Sequence, residues 1–243
     1  MKLSLSRLVS KQSLGYLLSG LKGNSQVHEF NIGECGLDDD DLEKIAYRLM
    51  EDGGIKTLKL GQNQFTNVHP LISLLKMKGK QYRSLDISNM PIDHEAMQSG
   101  LIEAVGSMSG LEELLMCECL VDPRIPEVSM FIDSLFRGCT LLRAVDISKN
   151  VLSKDSLNHF LKMIAERGGN LIETLSMSQV NIQRESFSSV VSAVSALGGL
   201  KKLNISGNDK LGGQSVQSIL RALIKNQSIE DLDISKTGSG NDH

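Results

Sequence analysis

Apolar residues recur along the chain in one short pattern, apolar-x-x-apolar-x-apolar. Its copies are Val27-Phe30-Ile32, Ile55-Leu58-Leu60, Tyr82-Leu85-Ile87, Leu111-Leu114-Met116, Leu142-Val145-Ile147, Ile172-Leu175-Met177, Leu200-Leu203-Ile205 and Ile229-Leu232-Ile234. Their first positions lie 28, 27, 29, 31, 30, 28 and 29 residues apart. Leu3, Leu5 and Leu8 fit a ninth copy. The alternation closing each copy is that of a short strand with one buried face. Between the copies come runs such as Leu42-Ile45-Ala46-Leu49, Leu71-Leu74-Leu75, Leu101-Val105-Met108, Phe131-Ile132-Leu135, Leu157-Phe160-Leu161-Ile164, Val190-Val191-Val194 and Ile219-Leu220-Leu223. These have the spacing of one apolar helix face. Each unit therefore predicts strand, turn, helix, turn. No unit can bury both elements alone, so stacked units must share a core between a parallel sheet and a row of helices.

Three residues after the last strand position stand Cys35, Asn63, Cys119, Asn150 and Asn208. An asparagine there can donate to and accept from the backbone of adjoining turns. Met90, Val180 and Thr237 break this column, with Asn89 and Asn181 beside two of them. The unit resembles the leucine-rich repeat, in the ribonuclease-inhibitor type with a full helix, over essentially the whole chain. The resemblance implies an α/β solenoid, a right-handed horseshoe with a parallel β-sheet on the concave face and helices on the convex face. It implies a single domain over residues 1–243 of about eight to nine repeats. With no polar cap evident at either end, the chain reads as a piece of a longer array; the alternative is that the helix from Ser13 to Leu21 is itself a cap. The ending Lys236-Thr237-Gly238-Ser239-Gly240-Asn241-Asp242-His243 reads as flexible and polar.

Composition narrows the function classes. The 26 Lys and Arg against 29 Asp and Glu give a net charge of −3, too balanced for a general nucleic-acid binder. No stretch reaches the roughly 18 apolar residues that a spanning helix needs. The amino terminus alternates apolar and polar residues and does not read as a secretory signal. With 4 cysteines, a reducing, cytoplasmic setting is expected.

Candidate chemistry is sparse. Cys117-Glu118-Cys119 lacks the Cys-x-x-Cys spacing of zinc or redox motifs. Cys35 and Cys119 read as buried structural thiols, and Cys139 falls in a helix-to-strand turn. His28, His69, His94, His159 and His243 read as surface residues, none paired at metal-ligand spacing. Asp38-Asp39-Asp40-Asp41 opens a helix, where carboxylates cap amides, and lacks the ligand pattern of a calcium loop. No nucleophile elbow, P-loop or dinucleotide fingerprint occurs. The expectation is a protein that is not an enzyme, with no cofactor and no metal.

The remaining candidate is a surface. Alternation turns three residues per unit toward the concave side, 6 of them acidic and 3 basic across the sheet, none aromatic. One unit differs. It begins at Leu111, is the longest at 31 residues, and its strand exposes Leu115 and Cys117 beside Glu113. Its loop Val121-Asp122-Pro123-Arg124-Ile125-Pro126 holds half of the 4 prolines. With Asp86 and Asp146 flanking, the expected site comprises Glu113, Leu115, Cys117, Arg124, Ile125, Asp86 and Asp146, with Ile125 as an exposed apolar contact. The expected partner is a protein with an apolar anchor and basic neighbours. The strands Leu85-Asp86-Ile87-Ser88-Asn89 and Leu232-Asp233-Ile234-Ser235 are similar to the Leu-Asp-Ile-Ser strands of CARMIL-like regulators of actin capping protein. Tropomodulins and the ligand-sensing arrays of NLR receptors share the repeat type. So do the activating proteins of the Ran GTPase, for which Arg124 and Arg184 would be the loop arginines.

Overall fold

A computed structural model describes residues 1–238 other than 52, 121, 170 and 225. His243, the end of the polar tail and Val121 lie outside the described residues. Nine three-residue strands occur: β1 (Lys2–Ser4), β2 (Glu29–Asn31), β3 (Thr57–Lys59), β4 (Ser84–Asp86), β5 (Glu113–Leu115), β6 (Ala144–Asp146), β7 (Thr174–Ser176), β8 (Lys202–Asn204) and β9 (Asp231–Asp233). They pair in parallel in chain order, in one open sheet. The central residue of each strand aligns with that of the next, as in Leu85 opposite Leu114 and Leu114 opposite Val145. These central residues are the ones the repeat pattern marks as buried, from Phe30 to Leu203.

Helices fill the connections: α1 (Lys11–Leu21), α2 (Asp39–Glu51), α3 (His69–Lys78), α4 (His94–Ala96), α5 (Ile102–Gly106), α6 (Val128–Gly138), α7 (Lys154–Met163), α8 (Phe187–Ala196) and α9 (Gly213–Leu223). A π-helical stretch, Met97–Leu101, joins α4 to α5 with a kink at Gly100. Almost all of the apolar helix positions named above are buried in one continuous core between sheet and helices. Leu220 is a correction, since it is 37% exposed on the convex side. So is Leu8, which is 75% exposed while its neighbour Val9 is buried. α1 starts in a capping box between Ser10 and Ser13. α2 starts with Asp38 and Asp41 each accepting the other's backbone N–H. Asp39 reaches instead into the next coil, accepting from the N–H groups of Thr66 and Asn67 at 2.7 and 2.9 Å.

The bend after each strand is made the same way in all nine coils. Arg7, Glu34, Gln62, Asn89, Glu118, Lys149, Gln179, Gly207 and Lys236 have φ between 54° and 69°. Only glycine and asparagine favour that left-handed conformation. The cost is offset by an added rung of the sheet. The N–H of the left-handed residue donates to the carbonyl two residues past the next strand, as Asn89 does to Cys117 at 2.7 Å and Glu118 to Ser148 at 3.0 Å. Asparagines buried beneath the bends tie coils together. Asn150 Oδ1 accepts from the N–H groups of Cys119 and Leu120 at 2.8 and 2.7 Å, and its Nδ2 donates to Met116 and Ile147 carbonyls. Asn63 and Asn208 do the same in their coils. The Cys119 thiol fills this slot by donating to the Ile87 carbonyl. Where Met90 and Val180 stand, the side chain is buried, and backbone bonds between coils, such as Ile92 N–H to the Cys119 carbonyl, serve instead.

Candidate protein interaction surface

The concave face has three columns: the first and third residues of each strand, and the residue two further on. The third-residue column carries most of the geometry. Asn31, Asp86, Asp146, Asn204 and Asp233 each accept, through Oδ1, the backbone N–H two residues ahead, at 2.8 to 3.1 Å. This is the Asx turn, which fixes both carboxylate and bend. It gives the recurring Leu-Asp-Ile-Ser a local reason. Leu115 interrupts the column. The Cys117 N–H, left without that acceptor, donates to Ser88 Oγ of the preceding coil at 3.2 Å.

Leu115 lies between Asp86 and Asp146, its register partners on β4 and β6. It is half-buried, as are Cys117, Glu113, Asp86 and Asp146. Glu113 accepts from Ser84 Oγ. Among the described residues no lysine, arginine or histidine makes an ion pair with Asp86, Glu113 or Asp146. Burial pushes the Cys117 thiol up to about 12, with the negative charge of Asp146 adding to it. A thiol shifted in that direction favours its protonated form at neutral pH. Burial likewise pushes Cys119 and Cys139 up to about 12.

The loop residues do not join this patch. Ile125 is 7% exposed and belongs to the core. The expectation of an exposed apolar loop contact is corrected, because the turn that follows Pro123 drives Ile125 inward just before α6. Arg124 is exposed and held by Asp122 within the same loop, with Nε and Nη2 at 2.9 and 2.8 Å. Hydrogen bonding from the Arg124 side chain and N–H takes the Asp122 carboxyl down to about 2. Of the seven residues expected at the site, five meet on the sheet face, while Arg124 and Ile125 stand apart from it.

Two networks escape the pattern reading. The residue just before each strand from β3 to β9 is charged, and in that row Arg83 pairs with Glu112, and Arg143 and Lys201 both pair with Glu173 at 2.9 and 2.8 Å. Aligning the repeats would have shown it, since positively and negatively charged residues trade places there at the repeat interval. On the convex side, three histidines bridge neighbouring coils. His69 meets Glu95 at 3.5 Å, His94 meets Glu127 at 2.9 Å and His159 meets Asp133 at 2.9 Å. Among the described residues no group of three or more His, Cys, Asp or Glu is placed to hold a metal ion, and no helix is long and apolar enough to cross a membrane.

The nine-stranded parallel sheet with its backing helices makes this chain an α/β leucine-rich-repeat solenoid. No protein-family model matches it, and no curated protein sequence does. Solved structures do. One is an internalin (inlF) from Listeria monocytogenes, 16% identical with TM-score 0.54, covering 90% of this chain and 57% of its own. The tropomodulin C-terminal domain of Caenorhabditis elegans is 18% identical with TM-score 0.51, covering 66% and 93%. Leiomodin-1 actin-binding site 2 is 10% identical with TM-score 0.52, covering 66% and 90%. The chain thus spans little more than half of the internalin. At these identities the likeness is one of fold.

Proposed function

We propose that this solenoid is a non-catalytic protein-interaction scaffold and that its binding centres on the concave surface of the Leu111 unit. One observation carries the reading. A leucine sits there at a position that holds Asp or Asn in five of the nine strands, beside three carboxylates that make no ion pair among the described residues. The finer assignment is a regulator of the actin cytoskeleton, CARMIL-like, acting in the cytoplasm, with residues 1–243 forming one repeat domain. Its supports are the Leu-Asp-Ile-Ser strands and the likeness of fold to a tropomodulin domain and to an actin-binding site of leiomodin-1. The GTPase-assisting alternative loses ground because Asp122 holds Arg124. Affinity capture from cytosol with the protein and with its Leu115→Asp variant tests the site. Proteins retained by the first should be depleted on the second, and actin or its regulators should be among them. Equal capture by both would move the site off this surface; a depleted set without actin-related proteins would remove the cytoskeletal assignment.

A further inference from the structure

Resting on that reading of the surface, we propose that its partner is a basic amphipathic helix laid across the strands, with one apolar side chain on Leu115 and a Lys or Arg one turn to either side. The row Asp86, Leu115, Asp146 crosses three adjacent strands in register. Neighbouring strands lie about 4.8 Å apart. A helix rises about 1.5 Å per residue, so residues i−3, i and i+3 advance about 4.5 Å per step, nearly in step with that row. An extended segment repeats its same-face side chains at about 6.6–7 Å and falls out of step after one residue.

The two outer groups are already aimed. The Ser88 and Ser148 N–H groups hold the Asp86 and Asp146 carboxylates at 3.0 and 2.8 Å, so a cation meets charges that lose little freedom on pairing. Their free state is one of mutual repulsion with Glu113, which a pair of cations relieves. Lys59 stands in register beside Asp86 and makes no ion pair among the described residues. The charged row just outside the face is, by contrast, paired internally at Arg83–Glu112 and Arg143–Glu173. The column next to Leu115 carries only small side chains beside Cys117, with Ser88 on one side and Ser148 and Ser178 on the other, while the Asp86 carboxylate lies against Gly61. The same three carboxylates repel a phosphate backbone or an anionic bilayer. Two copies of the chain meeting through this patch would set acid against acid.

The probe is a fluorescent peptide of three heptads, stapled as a helix, with Lys, Leu and Lys at i−3, i and i+3 in an Ala/Gln background. Its controls are the same composition broken by a central proline and the Glu-Leu-Glu counterpart. Anisotropy titrations are run at low and moderate salt. The decisive variant is Asp86→Asn with Asp146→Asn, because Asn31 and Asn204 hold this turn natively and the fold is kept while the charge goes. Binding of the helical probe should weaken at least tenfold in that variant, with the salt dependence flattened. Leu115→Ala should weaken it several-fold with the salt dependence retained. Equal binding of the proline-broken peptide, or unchanged binding by the Asn variant, overturns the helix. If cytosolic capture depends on Leu115 but the helical probe does not bind, the surface stands and the helical partner falls. If capture is also indifferent to Leu115→Asp, both fall.

Discussion

The two halves of the concave sheet share a backbone and differ in what their polar groups have left to do. From β6 to β8 the surface is a closed hydroxyl lattice. Ser148 Oγ shares a hydrogen bond with Ser176 Oγ at 2.8 Å and accepts from the Ser178 N–H at 3.0 Å. Ser178 Oγ shares one with Ser206 Oγ at 3.1 Å, and Ser206 donates to Asn204. From β4 to β6 the surface holds a leucine, a thiol and three carboxylates that make no ion pair among the described residues. A group already satisfied gains little from a partner, since binding only exchanges one hydrogen bond for another. Apolar area and unpaired charge both gain. The difference is one of chemistry on a common geometry, and it is the reason we place the proposed binding in one half.

The sharpest way to break this comparison is one substitution made at two places in the same coil. Ile125→Asp puts a carboxylate into the core and should cost about 4 kcal/mol or more. Leu115→Asp should cost no more than about 1–1.5 kcal/mol, from lost apolar contact and repulsion by Asp86 and Asp146 across the strands. Equal losses in denaturant melts would show that Leu115 is a core residue and no contact. Next in size, Leu203→Ala beneath the hydroxyl half should cost about 2–5 kcal/mol; a loss below about 1 kcal/mol would mean the register of β8 is wrong. Asn150→Ala strands the N–H groups of Cys119 and Leu120 and should cost about 2–3 kcal/mol, with hydrogen exchange accelerating first at those two amides. Ser148→Ala opens the hydroxyl lattice and should cost about 1 kcal/mol without changing capture of any partner that Leu115→Asp loses.

The smallest effect is in pH. Hydrogen bonding from Arg124 holds Asp122 at about 2, and Lys201, then Arg143, holds Glu173 below the usual glutamate value. Both folded values lie below the unfolded ones. Their contribution is therefore complete above about pH 4–5 and is lost as pH falls toward the folded values. Melting temperatures of Asp122→Asn and the parent should differ slightly at pH 7 and converge near pH 2. A difference that grows on acidification would reverse the assigned sign.

Much of the architecture was legible because one period governs it. An interval of 27–31 residues can close a strand, a turn and a helix only once per coil, so the strands, their register and the buried asparagines all follow from position. The five site residues on the sheet were legible for the same reason: alternation on a strand fixes which side a residue faces. Ile125 was not, because a Pro-Arg-Ile-Pro loop has no period to say which residue turns inward. The histidine bridges were not legible either. Their partners lie 26 to 33 residues away, and the connections differ in helical length, so no constant offset links them.

What the sequence determined by itself is thus everything that repeats: the solenoid, the parallel sheet, the core and the identity of the residues on the concave face. Repetition is a local rule applied many times, and local rules are written in spacing. What the tertiary structure alone decided is the state of those residues. It set which carboxylates are paired and which are bare, which serines are already bonded, and that Ile125 rather than Leu115 fills the core of its coil. Each of these depends on which neighbour happens to stand across the gap between coils. That distance is a few ångströms in space and nearly thirty residues along the chain.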